Sequence, residues 1–139
     1  MTFRVTRPLR FGDCDPSGIA YFPSYLNILV SVVEDFFAQE VGWSWTQMSE
    51  AGVATPTVKL DLVFVKSGFH GDQLEFTLDV ERIGHSSLDL RHQVSSEGLL
   101  LWTAAQRLVL TSMEMRKSRN WPTDLRAMLE AHLQVLPQE

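Results

Sequence analysis

The sequence predicts an α+β fold in which an antiparallel β-sheet wraps around one long apolar helix. Two patterns predict it. Over residues 24–41 apolar side chains cover most of the circumference of a helix, whereas from residue 57 onward apolar and polar residues alternate as in half-buried strands. The predicted strands follow one another through short turns, which suits antiparallel neighbours. The buried face of such a sheet needs a cover, and the helix is the only large apolar candidate.

Length and composition bound the class of protein. The chain has 139 residues, of which 45% are apolar and 21% charged, as expected for one globular domain spanning residues 1–139. Its single cysteine, Cys14, forms no intrachain disulfide and favours a reducing compartment, which predicts a cytoplasmic protein. Residues 1–10 lack the apolar core of a signal peptide.

The charge balance argues against two kinds of partner. Seventeen acidic residues against twelve basic ones give a formal net charge of −5, which does not favour nucleic acid or an anionic membrane surface. The longest apolar stretch, residues 25–41, is interrupted by Glu34, Asp35 and Glu40 and is too polar to span a bilayer. We therefore expect no nucleic-acid partner and no membrane partner.

The first part of the chain predicts a strand, a turn and the helix. Residues 3–11 suit a strand that ends at the turn-rich residues 12–18. Pro23 suits the first turn of the helix, and Gly42 suits the position just after its end. Only a narrow stripe of polar residues runs along the helix, so we expect the rest of the helix surface to be buried. The stripe consists of Asn27, Ser31, Glu34 and Asp35.

The second part of the chain predicts further strands and a terminal helix. Strand patterns occupy residues 58–64, 74–81, 88–93 and 99–111. Turn-rich residues separate them, so we expect a four-stranded antiparallel meander. The apolar run 99–111 suits a central strand, whereas residues 88–94 are expected at an edge. Residues 123–133 follow Pro122 and predict a helix.

The segment from Phe11 to Tyr25 carries the most specific motif. It reads Phe-Gly-Asp-Cys-Asp-Pro-Ser-Gly-Ile-Ala-Tyr-Phe-Pro-Ser-Tyr and resembles the signature of the 4-hydroxybenzoyl-CoA thioesterase family. The resemblance covers nearly the whole chain through weaker motifs, namely Gly71-Asp72, the turn 83–87 and the stretch 116–122. It agrees with the element order β-α-β-β-β-β, which is that of a hotdog fold. It implies hydrolysis of an acyl-CoA or aroyl-CoA thioester to the free acid and CoA.

Asp15 is the strongest catalytic candidate on chemical grounds. Asp-Pro-x-Gly also suits a type I turn from Asp15 to Gly18, so a purely structural role is the alternative. The turn leads into the helix, whose first N–H groups lack intrahelical partners and carry partial positive charge. A thioester has a good leaving group, since thiols have a pKa near 8.5. Asp15 could attack the thioester carbonyl or activate a water molecule; we favour attack, and the sequence leaves both open.

The resemblance assigns further roles around Asp15. It places the catalytic carboxylate at Asp15 and leaves Asp13 to brace the loop. The amide that polarises the thioester carbonyl then falls at or near Phe22, and Gly18 allows the backbone to approach closely. A related branch, which cleaves short acyl-CoA or carrier-protein thioesters, carries histidine at the position of Phe22. The phenylalanine therefore favours the aroyl-CoA branch.

Several residues are predicted to bind the substrate. Arg116, Lys117 and Arg119 put three of twelve basic residues into four positions, which suits a clamp for CoA phosphates, with a solvated loop as the alternative. Tyr21 is expected close to the proposed site and either lines an acyl pocket or packs in the core. The resemblance adds nucleotide contacts around the turn 83–87. The residues concerned are Arg82, His85, Ser86 and Ser87.

Alternative chemistries are less favoured. Carboxylates on both sides raise the thiol pKa of Cys14 and make it a poor nucleophile. The four histidines are too scattered for a ligand cluster, so we expect no metal and no cofactor beyond the CoA of the substrate. A hotdog hydratase would need a histidine acting with a carboxylate, and a non-catalytic module that binds an acyl or aromatic ligand stays open. We also expect a homodimer, paired further into a tetramer, because an edge strand can pair with its copy.

Overall fold

A computed structural model describes residues 1–134 of the chain. The strands of this part are β1 (Phe3–Pro8), β2 (Val53–Ala54), β3 (Thr57–Phe64), β4 (Gln73–Ile83), β5 (Ser87–Ser96), β6 (Leu99–Val109), β7 (Thr111–Ser112) and β8 (Lys117–Ser118). The α-helices are α1 (Phe22–Phe36), α2 (Trp45–Glu50) and α3 (Thr123–Glu130). The predicted antiparallel sheet with one long helix is confirmed. Within residues 1–134, no helix is long and apolar enough to cross a membrane.

Five antiparallel strands form the main sheet in the order β1-β4-β5-β6-β3. The predicted central position of β6 is confirmed, but two other predictions are wrong. Strand β5 lies between β4 and β6 instead of at an edge, and only β4, β5 and β6 form a meander. Strand β3 pairs with β6 because residues 65–72 do not make a tight hairpin. Val65 and Lys66 instead donate their N–H groups to the Leu101 carbonyl, at 2.8 and 3.0 Å.

Helix α1 lies against the apolar face of this sheet. Pro23 occupies its first turn, as predicted, and the helix continues as a wider π-type turn over Phe37–Val41. Gly42 ends it in the left-handed conformation, with a φ of 78° that favours glycine. The helix side chains that face the sheet are buried and apolar. They are Tyr25, Leu29, Val32, Val33 and Phe36.

Two element ends differ from the prediction. Strand β1 ends at Pro8, and Phe11–Asp13 forms a short 3-10 turn instead of a continuation of the strand. The chain leaves the sheet there because Leu9 pairs with the loop before β4: its N–H donates to Asp72 O at 2.8 Å, and its carbonyl accepts from Gly71 N at 3.0 Å. Helix α3 ends at Glu130, before the predicted end at residue 133.

A chain of three polar side chains leads from the buried face of the sheet to its surface. His92 on β5 is fully buried, and its Nε2 lies 2.8 Å from Gln106 Oε1. The Gln106 amide nitrogen donates in turn to Thr57 Oγ1 at 3.0 Å. Burial lowers the pKa of His92 to about 4, so the imidazole is neutral near pH 7.

Candidate active site

Asp15 lies in the predicted turn before helix α1. Its carbonyl accepts a hydrogen bond from Gly18 N at 2.9 Å, which closes the four-residue turn. Gly18 has a φ of 84°, a conformation that other residues adopt only with strain. The Asp15 N–H donates to Ile19 O at 2.8 Å. Both main-chain groups of Asp15 are therefore fixed, and the turn prediction is confirmed.

The two carboxylate oxygens of Asp15 have different surroundings. Oδ1 accepts the Ser17 N–H at 2.8 Å and also the Ser17 hydroxyl. These bonds, the hydroxyl first, hold the pKa of Asp15 below its usual value. Among residues 1–134, none donates a hydrogen bond to Oδ2. Asp15 is thus ionised near pH 7 and presents one oxygen for reaction.

Asp13 braces the loop instead of facing outward as a second reactive carboxylate. Its Oδ2 accepts the Arg10 N–H at 3.0 Å, across the 3-10 turn. Its carbonyl accepts the Tyr21 N–H at 2.9 Å, at the point where the chain turns into α1. Asp13 therefore ties the start of the loop to its end.

The first amide of α1 is an unused donor. Pro23 has no N–H, and Ser24 N donates to Tyr21 O at 2.8 Å. No group within residues 1–134 accepts from the Phe22 N–H, which carries the partial positive charge of a helix start. The side chains of Tyr21 and Phe22 are each 56% exposed and flank this amide. The helix start thus offers a hydrogen-bond donor to an incoming oxygen.

A second loop, residues 65–72, supports this region, and the sequence, which predicts a turn there, did not indicate this role. Gly68 O accepts the Ala20 N–H at 2.9 Å, and His70 N donates to Gly18 O at 2.9 Å. The buried hydroxyl of Tyr25 accepts the Gly68 N–H at 3.1 Å. The turn-rich residues 69–72 mark a turn in the sequence without indicating which segment that turn contacts.

A cavity of about 340 Å³ opens beside the helix start. Its lining residues are Ala20, Phe22, Phe64, Val65, Lys66 and Ser67. The ring of Phe64 lies 6.4 Å from those of both Phe22 and Tyr25, measured between ring centroids. Aromatic rings prefer neighbours at this spacing, so the cavity suits a flat apolar group.

The predicted CoA-binding residues gather at the opposite end of the sheet. Trp121 joins them, because its backbone N–H donates to His85 O at 2.9 Å and its indole N–H donates to Ser87 O at 3.0 Å. Ser86 O accepts from Leu110 N at 2.8 Å. Strand β4 separates this end from the Asp15 loop, a length of about 35 Å at ~3.3 Å per residue.

The basic residues lie at this same far end. Arg119 N donates to Leu110 O at 2.8 Å, and the side chains of Arg116, Lys117 and Arg119 are all exposed. Arg82 on β4 is also exposed and lies opposite Asp89 in the register of β4 and β5. Within one chain, therefore, the predicted CoA-binding residues cluster with one another but do not meet Asp15.

A larger cavity of about 730 Å³ borders the basic segment. Its walls come mostly from apolar side chains and hydroxyl groups of α2, β2 and β7. They are Trp45, Met48, Ser49, Val53, Ala54, Thr55, Pro56, Thr111, Ser112, Met113 and Arg116. The cavity adjoins the first residues of β3, whereas the smaller cavity lies at the last residues of the same strand. The two cavities thus mark opposite ends of one edge strand.

Cys14 has the wrong environment for a nucleophile. Partial burial, followed by the charges of Asp13 and Asp15, raises the pKa of its thiol. The thiol points towards Arg10 O, at 3.4 Å from it. The structure describes no group of three or more His, Cys, Asp or Glu side chains within residues 1–134 that could hold a metal ion.

Comparison with known proteins places this site in a family. A family model described as the thioesterase-like superfamily matches residues 9–129. The 1,4-dihydroxy-2-naphthoyl-CoA hydrolase of Acaryochloris marina is 31% identical over 91 residues, 66% of each chain. The 4-hydroxybenzoyl-CoA thioesterase of Pseudomonas sp. is 32% identical over 89 residues, 63% of each chain. In both alignments the matched stretch covers just under two thirds of the relative's length.

A solved structure agrees with the fold. The 1,4-dihydroxy-2-naphthoyl-CoA thioesterase Slr0204 from Synechocystis superimposes with a TM-score of 0.84, at 22% identity, over 93% of this chain and 96% of that one. This superposition confirms the predicted hotdog fold, and the family model confirms the predicted family. The chain belongs to the thioesterase-like superfamily.

Proposed function

We propose that this protein is an acyl-CoA thioesterase that hydrolyses an aroyl-CoA or acyl-CoA thioester to the free acid and CoA. One observation carries the proposal. An ionised carboxylate, Asp15, offers one uncommitted oxygen in the turn before a helix whose first amide, that of Phe22, is an uncommitted donor. A nucleophile and a carbonyl-polarising donor are the two groups that cleavage of an acyl bond requires.

The reaction proceeds in two steps in the mechanism we favour. Asp15 Oδ2 bonds to the thioester carbon, the C–S bond breaks, and the CoA thiolate leaves and takes a proton from solvent. Water then attacks the acyl carbon of the mixed anhydride and gives up a proton to solvent, the bond from that carbon to Oδ2 breaks, and the acid and the ionised Asp15 carboxylate are released. Activation of water by Asp15 is the alternative. The lowered pKa of Asp15 supports attack, because it weakens a general base while keeping the carboxylate ionised.

The surroundings of Asp15 favour an aromatic acyl group. The cavity beside the Phe22 amide is lined by Phe64 and Val65, and the exposed ring of Tyr21 lies 6.2 Å from the Phe22 ring, measured between ring centroids. Flat rings stack well on such walls. The two relatives named above act, by their names, on naphthoyl-CoA and benzoyl-CoA thioesters. We extend the same substrate class to this chain.

The arrangement of β3 supports a homodimer. In the described part of the chain, β3 has a neighbouring strand only on its β6 side. Exposed apolar side chains lie along β3 and just after its end. They are Val58, Val63, Phe64 and Val65. Antiparallel pairing of β3 with its copy would place the cavity beside Asp15 next to the larger cavity of the second chain. We propose that pairs associate further into a tetramer.

This dimer would complete the CoA site. The pantetheine arm would lie in the larger cavity of the second copy, and the phosphates would meet the basic residues at its rim. The basic residues are Arg82, Arg116, Lys117 and Arg119, and His85, Ser86 and Ser87 of the neighbouring turn would add polar contacts. Sedimentation of an active monomer would contradict this arrangement. We further propose that no other cofactor takes part and that the enzyme works in the cytoplasm, where its lone cysteine stays reduced.

The proposal is tested by thiol release from a panel of acyl-CoA and aroyl-CoA thioesters. We expect Asp15→Asn to keep the fold and to lower kcat on the best substrate by on the order of a hundredfold or more. Asp13→Asn is the matched control and should cost less, since Asp13 only braces the loop. Equal rates for Asp15→Asn and the wild type would refute the assigned mechanism. Binding without turnover would indicate a binding module, and hydration without thiol release a hydratase.

A further inference from the structure

We propose that the buried contact between Tyr25 and Gly68 positions the Phe22 amide for thioester cleavage, which makes Tyr25 a positioning residue. The inference rests on the proposed function, in which this amide polarises the thioester carbonyl. Tyr25 does not reach the reacting atoms itself, because its side chain is buried beneath the helix start and is only 3% exposed. It acts through the backbone of the second loop.

One residue of that loop ties the helix to the segment before it. Gly68 donates its N–H to Tyr25 Oη at 3.1 Å and accepts the Ala20 N–H on its carbonyl at 2.9 Å. Tyr25 lies in the first turn of α1, three residues after Phe22, and Ala20 lies two residues before it. The Phe22 amide therefore lies between Ala20 and Tyr25, which both form hydrogen bonds with the backbone of Gly68.

Neighbouring bonds fix the same segment from its other side. Tyr21 N donates to Asp13 O at 2.9 Å, and Gly18 O accepts from His70 N at 2.9 Å. With the amides of Ala20 and Tyr21 already committed, the next amide, that of Phe22, is the one left to meet a ligand. A shift of this segment by a fraction of an ångström would move the donor relative to Asp15, and donors in such sites act only over a narrow range of distance.

The requirement for glycine at position 68 is steric. A Cβ atom there would lie 2.3 Å from Tyr25 Oη and 3.2 Å from Leu9 Cδ2. Gly68 does not have a positive φ, so its backbone conformation alone would admit other residues. The backbone approaches the phenol more closely than any side chain permits. Burial also raises the pKa of Tyr25, so the phenol stays neutral and the contact does not titrate near pH 7.

These contacts predict a specific pattern of single and double substitutions. Tyr25→Phe removes one oxygen and keeps the ring, whose centroid lies 5.0 Å from that of Trp102. We expect it to lower kcat about tenfold with KM changed less than about twofold, the signature of lost transition-state stabilisation. Gly68→Ala should lower kcat further, by roughly a hundredfold, because the new methyl group displaces the loop.

The double variant is the sharpest test. Tyr25→Phe removes the very oxygen that the alanine methyl group would strike, so adding it to Gly68→Ala should restore kcat to about the level of Tyr25→Phe alone. Two independently harmful substitutions would multiply their losses instead. Amide exchange measured by NMR should show faster exchange at Ala20 N–H in Tyr25→Phe than in the wild type.

A remote glycine provides the control for stability. Gly42, at the opposite end of the helix that starts at Phe22, has a φ of 78°, so Gly42→Ala strains the fold about 30 Å of helix away from Phe22. It should lower Tm without changing kcat per folded molecule, when assayed well below its Tm. A purely structural role for Tyr25 would give the same result for Tyr25→Phe.

The outcomes separate this inference from the proposed function. Wild-type kcat in Tyr25→Phe, or a double variant no more active than Gly68→Ala, would overturn the positioning role alone while Asp15→Asn remained inactive. Wild-type activity in Asp15→Asn would overturn the assigned active site. No thiol release by the wild type from any thioester in the panel would overturn both.

Discussion

His92 should make the stability of the protein depend on pH between about 6.5 and 4. The imidazole is fully buried on β5, its Nε2 bonds to Gln106, and its Nδ1 has no partner within residues 1–134. Burial lowers its pKa from 6.5 to about 4. In this interval the unfolded chain binds a proton that the folded chain does not, so acid favours unfolding.

The size of the effect follows from the two pKa values. At about 1.4 kcal/mol per pKa unit, the interval between 6.5 and about 4 corresponds to roughly 3 kcal/mol of unfolding free energy. This contribution is complete above pH 6.5 and is lost as the pH falls to about 4. A loss of this size is a large part of the stability of a small domain. Protonation of Asp89 lowers the unfolding free energy only at lower pH, because the hydrogen bond with Arg107 lowers the pKa of the Asp89 carboxyl from 3.8.

Urea unfolding at fixed protein concentration, at several pH values from 7.5 to 4.5, measures this loss. His92→Gln replaces the imidazole with an amide that does not titrate and that can still bond to Gln106. We expect its unfolding free energy to fall with acid by about 2–3 kcal/mol less than that of the wild type. His85→Gln, at an exposed histidine, should keep the wild-type slope. Parallel profiles for wild type and His92→Gln would refute the assignment.

Two further predictions concern the active site. Ser17→Ala removes the hydroxyl that bonds to Asp15 Oδ1, so the pKa of the Asp15 carboxyl should rise towards its ordinary value and the acid limb of the kcat/KM profile should move to higher pH. Ser17→Thr keeps a hydroxyl and should retain the wild-type acid limb. An acid limb that does not move in Ser17→Ala would contradict the contact. Replacing the basic residues of the segment 116–119 with alanine should raise KM for CoA thioesters severalfold or more, while kcat/KM for the matching N-acetylcysteamine thioester, which lacks phosphates, should be nearly unchanged. Equal losses on both substrates would assign the segment to the fold or the acyl pocket.

Local pattern was enough to predict the long elements of this fold but not which strands are neighbours in the sheet. The limits of α1 and the strands β4 to β6 follow from periodicity and from end signals such as Pro23 and Gly42, because burial on one face leaves a trace along the chain. No sequence pattern indicates which strand pairs with β3, since the alternation of apolar and polar residues in β3 would suit pairing with either β4 or β6. Strand β5 was assigned to an edge although polar side chains on its outer face also suit a central strand of an open sheet.

One missed element had a readable signal. Helix α2 is only six residues long, too short for a periodic pattern, but it begins with a capping box. Ser44 Oγ accepts the Gln47 N–H at 3.2 Å, and Gln47 Oε1 accepts the Ser44 N–H at 2.8 Å. A serine followed three residues later by glutamine marks such a start in the sequence itself. The helix that begins there forms one wall of the larger cavity.

The candidate site was predictable where it is local. Asp15, Gly18 and Phe22 lie in one continuous motif, and the structure gives that motif the turn and helix start that the residues indicate. The contact of the supporting loop was not predictable, because Tyr25 and Gly68 are 43 positions apart and neither residue type indicates which residue it contacts. A buried phenol needs a partner for its hydroxyl, but only the fold determines which backbone group comes near.

Strand β3 explains why one chain holds only part of the proposed site. Its last residue, Phe64, lines the cavity beside Asp15, and Pro56, just before its first residue, lines the larger cavity that borders the basic segment. Eight residues of strand separate the two ends by about 26 Å. Pairing β3 with its own copy in antiparallel fashion would make opposite ends neighbours and remove that separation. The motifs for the carboxylate and for the phosphates can each be found along the sequence, but a two-fold axis is what would join them, and no periodicity within a single chain encodes it.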